Sequence, residues 1–216
     1  MVHILTEQHT IANHFLAELR NVDVQQDRMR FRRNLERLGE VLAFEISKTL
    51  DYVPAAVETP LGVAETALLK SQPVLVAAIR SGLPLHQGML QIFDQAECAF
   101  VAAYRKAKKN GKFEVRREYV NTPDLTGKTV IVADPMLATG KTMVLICKEL
   151  LDAYEIGALH IAAAIASEEG IAHVRAFLPH AQLWVGDIDS ELTSKAYIVP
   201  GLGDVGDLAY GSKGPA

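Results

Sequence analysis

From Val74 onward, the chain alternates short apolar runs rich in β-forming residues with stretches of helical periodicity. The candidate strands are Val74–Ile79, Cys98–Tyr104, Thr129–Ala133, His160–Ala166 and Gln182–Gly186. The candidate helices between them are Pro84–Phe93, Lys141–Tyr154 and Glu168–Phe177, with Ser167 as an N-cap and Gly157 as a C-terminal cap. Because strands that alternate with helices pair in parallel, the pattern predicts an α/β fold, with an open, mainly parallel sheet flanked by helices on both faces.

The residues before Val74 have a different pattern. Between about Thr6 and Leu50, apolar residues recur at three- and four-residue spacing, which predicts two helices within an N-terminal helical lead-in, residues 1–55. With 216 residues, 49% of them hydrophobic, the chain is long enough for one substantial core but short for two. We therefore expect a single domain, residues 1–216, with appendages.

Charge and the N-terminal residues narrow the functional classes. The net charge of −4 gives no overall attraction to polyphosphates or anionic membranes, so any phosphate binding needs a local site. Residues 1–9 lack the basic and apolar regions of a secretory signal, and no apolar run approaches the ~20 residues of a membrane span. We expect a cytoplasmic protein without membrane contact.

The cysteines and histidines show no pattern of metal or redox chemistry. Cys98 and Cys147 stand far apart in apolar runs, and the seven histidines show no metal-binding spacing. We expect two buried, reduced thiols and no metal ion held by protein ligands.

A chemically informative segment follows the strand Thr129–Ala133, where a turn with Thr and Gly precedes a helix. The free N–H groups at a helix start, together with the hydroxyls of Thr139 and Thr142, can converge on a phosphate. Asp134 can accept hydrogen bonds from ligand hydroxyls, so the pattern suggests a sugar-phosphate site. Taken alone, these residues can equally be simple caps. A nucleotide-triphosphatase P-loop is disfavoured, because it needs glycine where Pro135 stands.

The segment Asp134–Thr142 resembles the loop of type I phosphoribosyltransferases that binds PRPP (5-phospho-α-D-ribose 1-diphosphate), in the Asp-Pro-Met-Leu-Ala-Thr-Gly version of the uracil phosphoribosyltransferases. Most type I members have a second acidic residue where Pro135 stands. The tail Tyr197–Asp207, followed by Tyr210–Lys213, resembles the uracil-binding C-terminus of the same branch. This resemblance extends from about Asp23 to Lys213, and the first twenty or so residues go unmatched.

The resemblance implies the type I phosphoribosyltransferase fold and the reaction of uracil with PRPP to give UMP and diphosphate, with Mg²⁺ carried in by the PRPP diphosphate. Asp134, Arg80 and Arg105 are the implied catalytic residues. PRPP contacts are implied for Arg80, Arg105, Asp134, Pro135, Met136, Leu137, Ala138, Thr139, Gly140, Lys141, Thr142 and Asp204. A C-terminal base-binding hood, residues 187–213, is implied to contact uracil through Val199, Gly203, Asp204 and Val205.

A basic stretch, Lys106–Arg117, surrounds the turn-forming pair Asn110-Gly111 and predicts a protruding β-hairpin arm, residues 104–120. In the family such an arm embraces a second subunit, so the resemblance implies a homodimer or larger homo-oligomer. The basic cluster also motivates an alternative, an RNA-binding pyrimidine regulator on the same fold, although we expect no nucleic-acid partner.

Two residues depart from the pattern common in the family. Val205 replaces an alanine beside the base, which motivates a second alternative, a phosphoribosyltransferase for another base. Lys141 replaces a glycine in the phosphate-binding loop and adds a positive charge, which we expect to aid or tolerate phosphate binding.

Overall fold

One sheet of eight strands forms the centre of the protein in residues 1–107 and 113–212, the residues that the computed structural model describes. For residues 103–107 and 113–119 it describes the backbone alone. In chain order the elements are β1 (Val2–Ile4), α1 (Ala12–Arg20), α2 (Arg28–Ser47), β2 (Tyr52–Thr59), β3 (Gly62–Leu69), β4 (Val74–Ile79), α3 (Leu83–Ile92), β5 (Glu97–Ala107), β6 (Phe113–Asn121), β7 (Thr129–Ala133), β8 (Met136–Leu137), α4 (Lys141–Ala153), β9 (Ala158–Ser167), α5 (Glu168–Phe177), β10 (Gln182–Asp189), β11 (Glu191–Leu192), β12 (Ile198–Val199) and α6 (Val205–Tyr210).

The order of the strands creates a switch point in the sheet. Strands β1, β10, β9, β7, β4 and β5 lie side by side and parallel, β6 adds an antiparallel edge, and the short β8 pairs with β9. The chain moves outward from β4 to β5 in one direction and from β7 to β9 and β10 in the other. Open α/β sheets bind ligands where such directions diverge, beyond the carboxyl ends of the strands. Here that place lies between β4 and β7.

Apolar side chains cover both faces of the sheet, as predicted. On one face, α1, α2 and α3 pack around fully buried residues such as Met89, and on the other, α4 and α5 pack around residues such as Val174. Neighbouring residues of β7 supply both layers, since Ile131 points to the first and Val130 and Val132 to the second.

The helical lead-in is confirmed as α1 and α2. The Asp27 carboxylate accepts hydrogen bonds from the N–H groups of Met29 and Arg30 and so caps the start of α2. Arg30 in turn donates to both carboxylate oxygens of Glu18 in α1, at 2.5 and 2.8 Å. Hydrogen bonds from Arg30 and Asn34 lower the pKa of Glu18 to about 2.

Most of the predicted elements after Val74 are confirmed. Strands β4 and β7 and helix α5 begin and end at the predicted residues, and Ser167 caps α5 by accepting a hydrogen bond from the Gly170 N–H at 2.9 Å. The prediction for Gly157 was wrong, because α4 ends at Ala153 with Tyr154 as its cap. A Cβ on Gly157 would lie 2.7 Å from the Gly127 carbonyl oxygen, so this glycine permits close backbone packing.

Two hairpins project from the regular α/β pattern. Strands β5 and β6 pair antiparallel, with Tyr104 opposite Arg116 and Ala107 opposite Phe113, which confirms the arm. The predicted tip, residues 108–112, lies outside the described residues. The second hairpin, β2 with β3, was not predicted, and nearly all of its side chains are exposed. Strand β1, which pairs with β10 at the opposite edge of the sheet, was not predicted either.

Candidate active site

Two loops meet at the switch point between β4 and β7. Arg80 follows β4, and Asp134 follows β7. The Ser81 hydroxyl donates to Oδ1 of Asp134 at 3.4 Å, which links the loops directly. A Cβ on Gly82 would lie 2.5 Å from the Ala133 carbonyl oxygen, so the approach of the two loops requires glycine at this position.

The segment Asp134–Thr142, the phosphate loop, is anchored to β9 through its backbone. The Pro135 carbonyl oxygen accepts from the N–H groups of Ala164 and Ile165 at 3.1 and 3.0 Å. Within this segment, Gly140 directly precedes α4 and has a φ of 71°, which favours glycine. The N-terminus of α4 therefore has a fixed position beside the switch point, where a ligand crevice is expected in such sheets.

The junction between β9 and α5 supports the phosphate loop from behind. The Ser167 hydroxyl donates to the Ala138 carbonyl oxygen at 2.5 Å. A Cβ on Gly170 would lie 2.3 Å from that same oxygen, and a Cβ on Gly140 would lie 2.7 Å from the Gly170 carbonyl oxygen. Two glycines thus allow the loop and α5 to pack backbone against backbone.

The burial of the phosphate loop divides its side chains into two groups. Leu137 and Ala138 are 2% and 8% exposed and belong to the core, so these two residues offer the crevice backbone groups only. Asp134 and the two threonines, Thr139 and Thr142, are half-buried. The half-buried polar side chains of the loop therefore lie towards its two ends. Of the other predicted PRPP contacts in this loop, Pro135 and Gly140 are buried, Met136 is half-buried and Lys141 is exposed.

The two predicted arginines have different surroundings. Arg80 donates from Nη2 to Oδ1 of Asp207 at 2.8 Å and to the Gly211 carbonyl oxygen at 2.9 Å, so it contacts the C-terminal segment. Only the backbone of Arg105 is described, and it lies opposite Val115 on the arm. The loop after β4 and the C-terminal segment are thus joined through one guanidinium.

The hood, described here over residues 187–212, folds back onto α2. The side chains of Ile198, Leu202, Val205 and Ala209 are buried in the core cluster that α2 shares, and Arg32 donates to the Ala209 carbonyl oxygen at 2.7 Å. The hood is therefore a packed structure with its own apolar underside.

The predicted irregular loop of the hood is confirmed from Pro200 to Asp204, but Gly206 lies in α6, a helix that was not predicted. Asp204 caps α6 by accepting from the Asp207 N–H at 3.0 Å. Gly203 is exposed and has a φ of 85°.

The two valines among the predicted uracil contacts differ in how far they are exposed. Val199 is 38% exposed, whereas Val205 is 3% exposed and its side chain packs into the core. The larger side chain of Val205 therefore does not narrow the crevice.

Sequence reasoning missed a charged cluster at the start of the hood. Arg20, at the end of α1, contacts Asp187 and Asp189 at the carboxyl end of β10 and the carbonyl oxygen of Gly201. The two aspartates were detectable, because they follow the predicted strand Gln182–Gly186 on the ligand side of the sheet. Arg20 lies in the segment that the motif resemblance left unmatched.

The cysteines are not alike. Cys147 is fully buried, as expected, and burial raises the pKa of its thiol to about 12. The expectation was wrong for Cys98, which is only partly buried, although burial also raises the pKa of its thiol.

Within the described ranges, no group of three or more His, Cys, Asp or Glu side chains is placed to hold a metal ion, and no helix is long and apolar enough to cross a membrane.

Known proteins resemble this chain along almost its whole length. The sequence profile of the uracil phosphoribosyltransferases matches residues 5–212, so the expectation that the first twenty or so residues go unmatched was wrong. The uracil phosphoribosyltransferase of Porphyromonas gingivalis is 47% identical over 210 residues, which cover 97% of each chain. That of Thermococcus sibiricus is 40% identical over 200 residues, which cover 91% of this chain and 84% of that protein.

A solved structure from Aquifex aeolicus has the same fold, with a TM-score of 0.87 at 30% sequence identity and coverage of 98% of each chain. The sequence match and the structural match therefore both agree with the fold of this chain. The chain belongs to the uracil phosphoribosyltransferase family.

Proposed function

We propose that this chain transfers the 5-phosphoribosyl group of PRPP to uracil and releases UMP and diphosphate. The observation that carries this proposal is the meeting of three segments at the switch point: the loop after β4, the phosphate loop and the hood. Ser81 bonds to Asp134, and Arg80 bonds to Asp207, so each contact joins two of the three segments. Membership of the family supports the same reaction.

The phosphate loop and Asp134 are the proposed site for the ribose 5-phosphate of PRPP. The first N–H groups of α4 and the hydroxyls of Thr139 and Thr142 would hold the 5′-phosphate. Asp134 would accept hydrogen bonds from the ribose hydroxyls. Since no covalent nucleophile is needed for displacement at the anomeric carbon, positioning supplies much of the rate.

Arg80 and Arg105 are the proposed ligands of the departing diphosphate. A guanidinium stays charged and can donate to two phosphate oxygens, which suits a group that gains negative charge as the sugar gains oxocarbenium character. Arg80 and its partner Asp207 are both partly exposed, at 33% and 39%, and such pairs contribute about 1 kcal/mol or less. A multiply charged diphosphate would therefore displace Asp207 from Arg80 readily.

Mg²⁺ fits this crevice as a companion of PRPP. Mg²⁺ prefers oxygen ligands and usually combines one or two carboxylates with substrate phosphates and water. The diphosphate of PRPP would carry the ion, and the Asp134 carboxylate and the Ser81 hydroxyl, whose oxygens lie 3.4 Å apart, are protein oxygens beside it. When bound, the ion would neutralise charge on the diphosphate.

The loop from Val199 to Val205 is the proposed site for uracil. Its peptide N–H and C=O groups can match the donors and acceptors along the edge of a flat base, and Gly203 exposes its backbone there. Because the Val205 side chain is in the core, it gives no reason to propose a different base. The RNA-binding alternative depends on side chains of the arm, which lie outside the described residues, so no observation favours it.

We also propose that the whole chain acts as one domain and that copies self-associate. The family resemblance implies contact through the arm, and the exposed hairpin of β2 and β3 offers a further surface. Leu61, Val63 and Leu68 on this hairpin are 101%, 67% and 52% exposed. A two-stranded hairpin with exposed apolar residues is only marginally stable in water, and a second subunit can cover it.

PRPP and UMP are charged metabolites that do not cross membranes unaided, which supports the cytoplasm as the place of action.

The reaction is tested with the purified chain, Mg²⁺, PRPP and radiolabelled uracil, by measuring labelled UMP. Asp134→Asn is expected to lower kcat/KM by about 10- to 100-fold, because charge-assisted hydrogen bonds contribute ~1.5–3 kcal/mol. Asp152→Asn, an exposed aspartate at the other end of α4, is the matched control and should keep its activity. The proposal fails if the unaltered chain forms no UMP beside an active enzyme of the family, or if Asp134→Asn changes nothing.

A further inference from the structure

A four-residue network connects the end of α1 to the start of the base-binding loop. Arg20 donates from Nη2 to Asp187 at 2.8 Å and to Oδ1 of Asp189 at 2.9 Å, and from Nη1 to Oδ2 of Asp189 at 2.9 Å. The same Nη1 donates to the Gly201 carbonyl oxygen at 3.1 Å. One guanidinium thus bonds to two carboxylates and one peptide group.

The network holds Gly201 through both of its backbone polar groups. Its N–H donates to Oδ2 of Asp189 at 2.9 Å, while its carbonyl oxygen accepts from Arg20. Gly201 has a φ of 62°, and a Cβ there would lie 2.2 Å from the Ile198 carbonyl oxygen, so the chain turns sharply at this residue. The proposed uracil contacts at Gly203 and Asp204 follow two and three positions later. The direction in which the loop leaves Gly201 therefore depends on the network.

Burial makes each member of the network depend on the others. Asp189 is 6% exposed and Arg20 is 22% exposed. Burial alone would lower the pKa of Arg20, but its bonds to Asp189 and Asp187 outweigh this and raise the pKa above its ordinary value. Thr6 adds a hydrogen bond to Asp187 at 2.8 Å. A buried pair of this kind is weak evidence for added stability but can specify one arrangement of the chain.

We propose that Arg20 is a positioning residue for uracil: through Asp189 it sets the orientation of the loop that begins at Gly201. This inference rests on the proposed function, because it assigns a role to Arg20 in binding the base. The N-terminal helix α1 touches neither the phosphate loop nor Asp134 through this network, and Asp204 is the one predicted PRPP contact in the loop that it orients. Helix α1 would then control the affinity for uracil far more than the affinity for PRPP.

The test separates the two substrates by steady-state kinetics on the full chain, varying uracil at saturating PRPP and then the reverse. Arg20→Lys keeps the charge but loses the planar fork that reaches two carboxylates and a carbonyl at once. We expect the KM for uracil to rise about tenfold, the effect of losing a charge-assisted hydrogen bond, and the KM for PRPP to stay within about twofold. Asp189→Asn, which preserves shape, is expected to act in the same direction and serves if Arg20→Lys does not fold.

Arg30→Lys is the matched control. Arg30 also donates to both oxygens of a carboxylate between α1 and α2, that of Glu18, but it makes no hydrogen bond to residues 187–212, the described part of the hood. The KM of the Arg30→Lys variant for uracil should not change. An unchanged uracil KM in folded Arg20→Lys and Asp189→Asn, or equal rises in both KM values, would overturn the inference. Absence of UMP formation by the unaltered chain would instead contradict the proposed function.

Discussion

The phosphate loop and the hood face the same crevice, but different forces hold them. The phosphate loop is fixed by backbone contacts, through the Pro135 carbonyl oxygen on β9 and the close approach of Gly140 to Gly170. The hood rests on a small apolar underside and is tied at both ends by arginine side chains, Arg20 at its start and Arg80 near its end.

This difference separates the two halves of the proposed reaction. Backbone hydrogen bonds and close contacts at glycine allow the phosphate loop only one conformation, which suits a phosphate group of constant shape. Ion pairs between side chains can exchange partners when a charged ligand arrives. We therefore expect changes behind the phosphate loop to affect stability and PRPP binding together, and changes at the Arg80 end of the hood to affect substrate affinity with little loss of stability.

Gly170→Ala is expected to have the largest effect. Alanine normally stabilises a helix interior by about 1 kcal/mol relative to glycine, but here its Cβ would lie 2.3 Å from the Ala138 carbonyl oxygen. Because that oxygen belongs to packed backbone and cannot move aside, we expect a loss of about 3 kcal/mol in the free energy of unfolding and a marked rise in the KM for PRPP. Urea unfolding and kinetics measure these two quantities.

Gly127→Ala is the control for this prediction. Gly127 has a φ of 71° but nothing within 4 Å of the added Cβ, so the change is expected to cost about 1 kcal/mol of stability and leave the KM for PRPP unaltered. If Gly170→Ala proves as mild as Gly127→Ala, the phosphate loop does not depend on its contact with α5.

Acid is expected to weaken the sheet through one buried histidine. His160 lies in β9, accepts a hydrogen bond from the Trp184 indole at 3.0 Å, and has its pKa lowered to about 4, by burial and then by nearby His3. Between its unfolded pKa of about 6.5 and about 4, the unfolded chain binds the proton and the folded chain does not. Stability is therefore complete above about pH 6.5 and falls by up to roughly 3 kcal/mol as the pH drops to about 4.

Urea unfolding at pH 7, 6 and 5 measures this loss, and His160→Gln should remove most of the slope. The exposed His180 provides the comparison, since His180→Gln should keep the slope of the unaltered chain. Equal slopes in the unaltered chain and in His160→Gln would show that another group governs the acid response.

The sequence predicts those parts of the site whose residues are close together along the chain, and it misses contacts between residues that are far apart along it. The strand, turn and helix of the phosphate loop are contiguous, so the roles of Asp134 and Thr142 had a local signal. The bond of Arg20 to Asp189 joins residues 169 positions apart, and its bond to Gly201 joins residues 181 apart. No periodicity or short motif records contacts of that length. They became visible only when β1 and α1 were placed beside β10.

Two wrong predictions of the fold have similar causes. Gly157 was taken for a helix cap because glycine after a helix commonly has that role, but here a contact with Gly127, thirty positions earlier, determines its position. Helix α6 was not predicted because its first turn contains Gly206. The Asp204 cap and the contacts with α2 stabilise it in spite of that glycine.

The smallest effect is expected from Asp207→Asn, which tests whether the tie at Arg80 is exchangeable. Asparagine keeps the shape of the side chain and removes the charge that competes with diphosphate for Arg80. Both partners of this pair are partly exposed, so stability should change by about 1 kcal/mol or less. We expect the KM for PRPP to fall by about two- to fivefold at low ionic strength, and the KM for uracil to change little.

Salt sharpens this last prediction, because the Debye length shortens from about 10 Å at 0.1 M to about 3 Å at 1 M. The advantage of Asp207→Asn in binding PRPP should therefore shrink at high salt. Glu191→Gln, which removes another exposed negative charge from the hood, should leave the KM for PRPP unchanged and so excludes a general effect of net charge. A rise in the KM for PRPP in Asp207→Asn would mean that Asp207 holds Arg80 in its binding position. Both ends of the hood would then be held by ion pairs that do not exchange when PRPP binds.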